Sequence, residues 1–411
     1  MLTRRQFLGL SGGAAVTGAA AWMGLLRDHA PSRGPTPPGA DDHVLVVVQL
    51  SGGNDALNTV VPLDGRYHDL RPTLGLDDST LVPLAGESTV GLHPALAPLV
   101  PLWEAGQLAI VPDVGFASDS RSHFESLDVW WSASPDHTEQ TGWLGRWLDA
   151  TDLASDNPLV AIALGGGAVP ALRSTRSQAT AVNDLAGFDL KVPPGSDRDQ
   201  LTDAFAATAS PAVSESLLAQ AQRSVTSALR AVDVLASTQS NVPVEGDDPD
   251  AAAAGPVAAG LAAAAKLIDL NLGTRVILVA AGGFDTHANQ AATHQRLLDD
   301  LATGVSSFFT TLGQRGHAER VLLLTTSEFG RRAAENGSGG TDHGHGGVQF
   351  LAGPGARGGL HGTVDVAHLA DGDLPAAVDA RTLYAAALSW LGGPTSELLA
   401  GHRDDLGLLT A

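Results

Sequence analysis

The chain has 411 residues, 45 of them Asp or Glu against 24 Lys or Arg, for a formal net charge of -21. That acidity argues against nucleic acid or an anionic membrane as a partner, and an anionic substrate would need a local cationic site to overcome the field. No cysteine occurs; disulfides, thiolate metal sites, iron–sulfur clusters and cysteine nucleophiles are excluded, and a transition metal would have to be held by His, Asp, Glu or Asn.

Thr3-Arg4-Arg5-Gln6-Phe7-Leu8 is a twin-arginine pattern, followed by a weakly apolar Gly/Ala/Leu stretch to about Leu26. It reads as a twin-arginine export signal. The stretch is only just long enough for a bilayer and is glycine-rich, so no permanent membrane span is expected. Pro31 to Ala40 reads as a linker. Residues 1–41 are therefore taken as signal peptide and Pro/Gly linker, and 42–411 as one α/β domain. The expected location is periplasmic or extracellular, with the twin-arginine translocase as partner during export.

Val44 to Leu50 is a β-branched run that predicts a buried strand, ending at Ser51-Gly52-Gly53-Asn54-Asp55. Tyr67 to Pro72 reads as loop, and His93 to Gly106 as an amphipathic helix leading into a strand over Leu108 to Pro112. A polar loop with Arg121-Ser122-His123-Phe124 follows, then a helix from about Glu125 to Trp131. Gly142 to Leu148 continues as helix, and Leu159 to Leu164 as a third strand. From about Asp184 to Asn241 the chain looks helical, and Pro243 to Gly255 looks like a flexible surface segment, so an insertion is expected around 184–258. Gly260 to Asn271 predicts a helix and Arg275 to Ala280 a strand ending at Gly282-Gly283-Phe284-Asp285-Thr286-His287. The helix Ala291 to Leu312 then precedes the strand Arg320 to Thr326, which runs into Ser327-Glu328-Phe329-Gly330-Arg331-Arg332 and Thr341-Asp342-His343-Gly344-His345-Gly346. Strands alternating with helices predict a mainly parallel central sheet covered by helices on both faces.

Four predicted strand ends each carry polar residues: Asn54/Asp55, Asp285/His287, Glu328/Arg331 and Asp342/His343/His345. Open α/β sheets place their chemistry at such ends. Residues two apart in extended backbone face the same way, so Asp285 with His287, or His343 with His345, can reach one ion together. Mixed carboxylate and imidazole ligands suit Zn, Mn or Fe, and an oxygen-rich set suits Ca or Mg. Two ions could together clamp the oxygens of a transferred phosphoryl or sulfuryl group. Ser122 stands at a helix start after a strand and a polar loop, an arrangement open to an anion; it could equally be only an N-cap.

These motifs, together with Leu50 to Pro62, resemble the DUF1501 family of exported bacterial proteins over essentially the whole mature chain. That family belongs to the alkaline phosphatase and sulfatase superfamily, and the resemblance implies an alkaline phosphatase-like α/β fold with one or two divalent metal ions (Zn, Mn, Ca or Mg). It implies Asp55 as a ligand after the first strand, Asp285 and His287 as one metal's ligands, and Glu328, His343 and His345 as the remainder. Ser122 would stand where the nucleophile stands, with Arg121 or Arg331 holding the non-bridging oxygens and His123 protonating the leaving group. Phosphatases of the superfamily show an Asp-His-Gly element where this chain has Glu328-Phe329-Gly330, which puts a second metal in question. The loop around Ser122 lacks the pattern that sulfatases convert to formylglycine. The implied function is an exported hydrolase of small phosphate or sulfate esters; the alternatives are a non-catalytic exported binding or assembly protein that keeps the fold, or a metal-dependent mutase.

Overall fold

The computed structural model describes residues 42–165, 170–182 and 254–410, with isolated positions between 197 and 231. The twin-arginine segment, the linker and most of the insertion expected around 184–258 lie outside the described residues. The described residues fall within one compact unit.

The first strand, β1 (Val44–Leu50), is buried along its whole length. A small antiparallel sheet of β2 (Val60–Pro62), β3 (Val82–Pro83) and β4 (Val90–Leu92) follows it. The remaining strands are β5 (Leu108–Gly115), β6 (Ala161–Leu164), β7 (Thr180–Val182), β8 (Val276–Ala281), β9 (Val321–Thr326), β10 (Gly347–Ala352), β11 (Gly359–Leu360) and β12 (Val378–Asp379). The central sheet has the order β11-β5-β10-β9-β1-β8-β6-β7, with β12 also on β5. All its pairings are parallel except those of β10 with β5 and β9. The mainly parallel α/β class expected from the sequence is the class observed.

Among the described residues, the helices that cover the sheet or lead out of its loops include α1 (Ala56–Thr59), α2 (His123–Ser132), α3 (Trp143–Thr151), α4 (Pro256–Asp269), α5 (Gln290–Gln314) and α6 (Ala380–Leu391). Successive side chains of a strand point to opposite faces, and β1 shows the consequence. Val44, Val46, Val48 and Leu50 join a core that includes residues of α4 and α5. Leu45 and Val47 join a second core with residues of α2, α3 and α6. Each such fully buried Val or Leu contributes roughly 1.5–3 kcal/mol, so the sheet is held from both sides. No helix among the described residues is long and apolar enough to cross a membrane.

Four segments differ from expectation for local reasons. Tyr67 to Pro72, read as loop, is helical as far as Leu70, in a helix Gly65–Leu70 that the Asp64 carboxylate caps through Arg66 N at 2.9 Å. His93 to Gly106 is not one helix but a 3-10 turn, Pro94–Leu99, followed by a short helix Val100–Glu104. Pro98 and Pro101 supply no backbone N–H to an α-helical ladder. The strand predicted to stop at Pro112 continues to Gly115, because the register with β10 slips between Gln349 and Gly347 and leaves Pro112 and Asp113, the latter at φ 57, in an irregularity where proline is tolerated. The helix predicted from Gly260 begins at Pro256. Proline suits the first helical position, and the Asp300 carboxylate accepts from Val257 N at 2.9 Å and Ala258 N at 3.0 Å.

The topology gathers the candidate residues. β1, β5, β8 and β9 run in the same direction, so the loops after all four leave from one edge of the sheet. β10 runs the other way and starts at that edge, which brings the preceding His343 and His345 there too.

Candidate metal centre

The loop after β1 packs directly on the loop after β8. Gly52 has φ +122, and a Cβ there would lie 2.3 Å from Asp285 N; only glycine allows both the turn and the approach. Arg331, 1% exposed, ties these loops together. Its guanidinium donates to Gly53 O at 2.8 Å, Thr341 O at 2.8 Å, Phe284 O at 3.0 Å and Gly52 O, and to Asp285 Oδ1 at 2.6 Å. Its donors are committed to the protein, so it holds Asp285 in place rather than reaching outward.

Around Asp285 stand three imidazoles. His287 Nε2 is 3.0 Å and His343 Nε2 3.1 Å from Asp285 Oδ1, the two nitrogens are 2.9 Å apart, and His123 Nε2 is 3.4 Å from Asp285 Oδ2. The other nitrogen of each ring faces an oxygen. His287 Nδ1 lies 3.1 Å from Asp342 Oδ1, His343 Nδ1 2.8 Å from Arg121 O, and His123 Nδ1 2.8 Å from Glu328 Oε1. A neutral ring that donates through Nδ1 to that oxygen presents its Nε2 lone pair toward Asp285. Lone pairs so aimed at one carboxylate repel one another unless a proton or cation lies between them. His123 Nε2 is also buried without a hydrogen-bond partner. His123, Asp285 and His343 can offer ligand atoms all within 4.8 Å of one another. Partial burial pushes the Asp285 carboxyl up, but the hydrogen bond from Arg331 and the Arg331 charge outweigh it and hold the pKa at about 2. The group is anionic at any pH where imidazole is neutral.

Glu328, 1% exposed, sits one layer behind: its Oε1 accepts from Gly52 N at 2.8 Å as well as from His123. Ser122 is in the N-cap position of α2, yet its side chain makes no capping hydrogen bond and the residue is exposed. Arg121, with φ 62, directs its guanidinium to His345 Nε2 (3.0 Å from Nε, 2.7 Å from Nη2) and to Asp373 Oδ2 at 3.0 Å.

Three candidate ligands therefore lie outside the cluster: Glu328, behind His123, and His345 and Asp55. The Nε2 lone pair of His345 accepts from Arg121 and is not available to an ion. Asp55, 1% exposed, caps α1 through Asn58 N at 3.4 Å, pairs with Arg71 Nη2 at 2.8 Å and accepts from Gln290 Nε2. Burial pushes its pKa up, but the Arg71 charge and these bonds leave it below the usual carboxylate value. His123 moves the other way, from a predicted proton donor into the donor cluster. The sequence pattern assigned no role to Arg71, Gln290 or Asp342. Asp342 stood visibly inside the Asp-His-Gly-His run, whereas nothing local in Tyr67 to Pro72 marks Arg71 as the partner of a carboxylate 16 residues away.

These features define an α/β protein with a histidine–carboxylate cluster at the carboxyl edge of a mainly parallel sheet. Residues 120–410 match the family described as "Protein of unknown function (DUF1501)", and the chain belongs to that family. No curated protein matches the sequence. Similar solved structures include Ps i-CgsB (10% identity, 88% of this chain and 74% of that one, TM-score 0.40) and the PsFucS1 sulfatase from Pseudoalteromonas sp. (11%, 90% and 72%, TM-score 0.39). A protein in the alkaline phosphatase superfamily from Vibrio parahaemolyticus is also similar (9%, 90% and 71%, TM-score 0.36). Likeness this distant says nothing about the chemistry of the site.

Proposed function

We propose that the protein is an exported metal-dependent hydrolase of phosphate or sulfate esters, of the alkaline phosphatase-like class. The observation that carries this reading is the common orientation of His123, His287 and His343: each ring is tethered through Nδ1 to an oxygen and turns Nε2 toward Asp285. Imidazoles that ligate metals characteristically give their second nitrogen to a carboxylate or carbonyl, which fixes tautomer and orientation. His123, His287, His343 and Asp285 would hold the ion. Their nitrogen-rich set favours Zn, Mn or Fe over Ca and Mg, which prefer oxygen ligands. A divalent metal there supplies a Lewis acid that stabilises oxygen charge developing on the ester.

The chain's own residues supply the rest. Ser122 presents an exposed, uncapped hydroxyl beside His123; on losing its proton to solvent it can attack phosphorus or sulfur and displace the ester's alcohol, and water then releases phosphate or sulfate from the serine. The first N–H groups of α2 have no intrahelical partners and can receive the non-bridging oxygens. Arg121, held by His345 and Asp373, adds positive charge in an otherwise acidic protein. Arg331 keeps Asp285 ionised and in place. Glu328, the departure from the superfamily pattern, tethers His123.

An ester panel run on the metal-loaded mature protein tests the proposal, with Ser122→Ala and Asp285→Ala beside wild type. Activity lost in both variants, with metal retained in Ser122→Ala, is expected. Turnover of no ester by the metal-loaded wild type would overturn the hydrolase reading in favour of an exported binding or assembly protein.

A further inference from the structure

Gln290 opens α5 fully buried, with its backbone N–H donating to Gly339 O at 2.9 Å. Its side-chain oxygen accepts from the hydroxyls of Thr286 at 3.0 Å and Thr341 at 2.7 Å, and its amide nitrogen donates to the Asp55 carboxylate. Thr286 lies between Asp285 and His287, and Thr341 lies two residues before His343. One neutral side chain thus joins three loops: the one after β1, the one after β8 and the one that returns to β10. Asp55 is in turn fixed by Arg71, whose Nε donates to Ala333 O at 2.9 Å and Nη2 to Arg332 O at 3.1 Å. The anchor therefore reaches the segment after β9 as well.

Arg331 holds the backbone of the same loops through Phe284 O and Thr341 O. Gln290 holds them through the side chains of Thr286, between two donor residues, and Thr341, two residues before a third, so it acts on the separation and tilt of Asp285, His287 and His343 rather than on whether the loops close. We propose that Gln290 is the positioning residue of the metal centre, setting the spacing of its two ligand-bearing loops against the buried Asp55–Arg71 pair. The inference rests on the reading of this cluster as a metal site. It needs an amide: a carboxylate at 290 would oppose Asp55, and an apolar chain of the same length would leave both threonines and Asp55 without that partner.

The test is a Co2+ titration of the metal-free mature protein, read by visible absorption, for wild type, Gln290→Met, Thr341→Val and Thr341→Ser, with thermal unfolding of each metal-free protein recorded alongside. Loss of a partner behind metal ligands weakens metal binding about 10- to 100-fold. That weakening, with altered visible bands, is expected for Gln290→Met. Thr341→Val, which keeps shape and loses the hydroxyl, should move in the same direction, and Thr341→Ser should behave as wild type. A lowered melting temperature with wild-type Co2+ affinity and spectrum in both Gln290→Met and Thr341→Val would reduce Gln290 to a structural role and overturn the inference alone. If Gln290→Met does not fold, the Thr341 pair decides. Wild-type protein that takes up no Co2+ would overturn this inference and the hydrolase reading together.

Discussion

Two polar clusters sit at the carboxyl edge of the same sheet, and both are built around an aspartate with histidine nearby. One holds Asp285, His123, His287 and His343. The other holds Asp55, Arg71, Gln290, Asn54 and His294. In the second, the buried groups are matched: Arg71 and Gln290 serve Asp55, and His294 Nε2 lies 3.0 Å from Asn54 Oδ1. In the first, three Nε2 atoms converge on one carboxylate and His123 Nε2 has no hydrogen-bond partner. A histidine with an aspartate beside it is thus not a metal site by composition; what matters is whether the second ring nitrogen is tethered while the first is left over.

Perturbing each cluster should have a different signature. The largest effect is expected in the satisfied one. Arg71→Met leaves the Asp55 carboxylate buried without its cation, which costs about 3–5 kcal/mol; denaturant unfolding should show that loss. Metal should still be taken up well below the melting temperature, with affinity weakened no more than in Gln290→Met, since Arg71 reaches the ligand loops through Asp55 and Gln290; complete loss of metal from folded protein would put Arg71 in the ligand cluster itself.

Acid should act on the same cluster next. Burial holds His93 and His294 down at about 4, against an ordinary value of 6.5. Both are therefore neutral when folded and take up protons when unfolded. The stability they contribute is complete above pH 6.5 and is lost as pH falls from there toward 4. For His294 alone the loss approaches roughly 3 kcal/mol. Unfolding free energies at pH 7 and pH 4.5 should fall more steeply in wild type than in His294→Gln, and equal slopes would contradict this account of the pair.

The smallest effect belongs to the residue behind the proposed metal cluster. Glu328→Gln keeps an acceptor for His123 but removes its charge, and zinc affinity should fall about 10-fold with little change in unfolding free energy. An unchanged affinity would place Glu328 outside the function of the site.

Much of this arrangement could be read from the chain. The β-branched runs at Val44 to Leu50 and Val321 to Thr326 announced buried parallel strands, and the rule that chemistry gathers at carboxyl ends brought Asp285, His287, Glu328 and His343 together. What could not be read was competition for lone pairs. His345 and His343 look alike in a glycine-rich loop, yet His345 accepts from Arg121, 224 residues away in sequence, while His343 turns its Nε2 to Asp285. Asp55 occupies a strand end as Asp285 does, but its cation comes from a stretch with no motif. The antiparallel direction of β10, which delivers His343 to the site, also left no signature in residue spacing.

The most direct measurement is metal analysis of the purified mature protein after folding in metal-replete medium, for wild type, Asp285→Asn and His345→Gln. The histidine–carboxylate centre predicts about one equivalent of a divalent transition metal in wild type and in His345→Gln, and a near-complete loss in Asp285→Asn. Less than about one tenth of an equivalent in wild type, or metal that survives Asp285→Asn and leaves with His345, would contradict it.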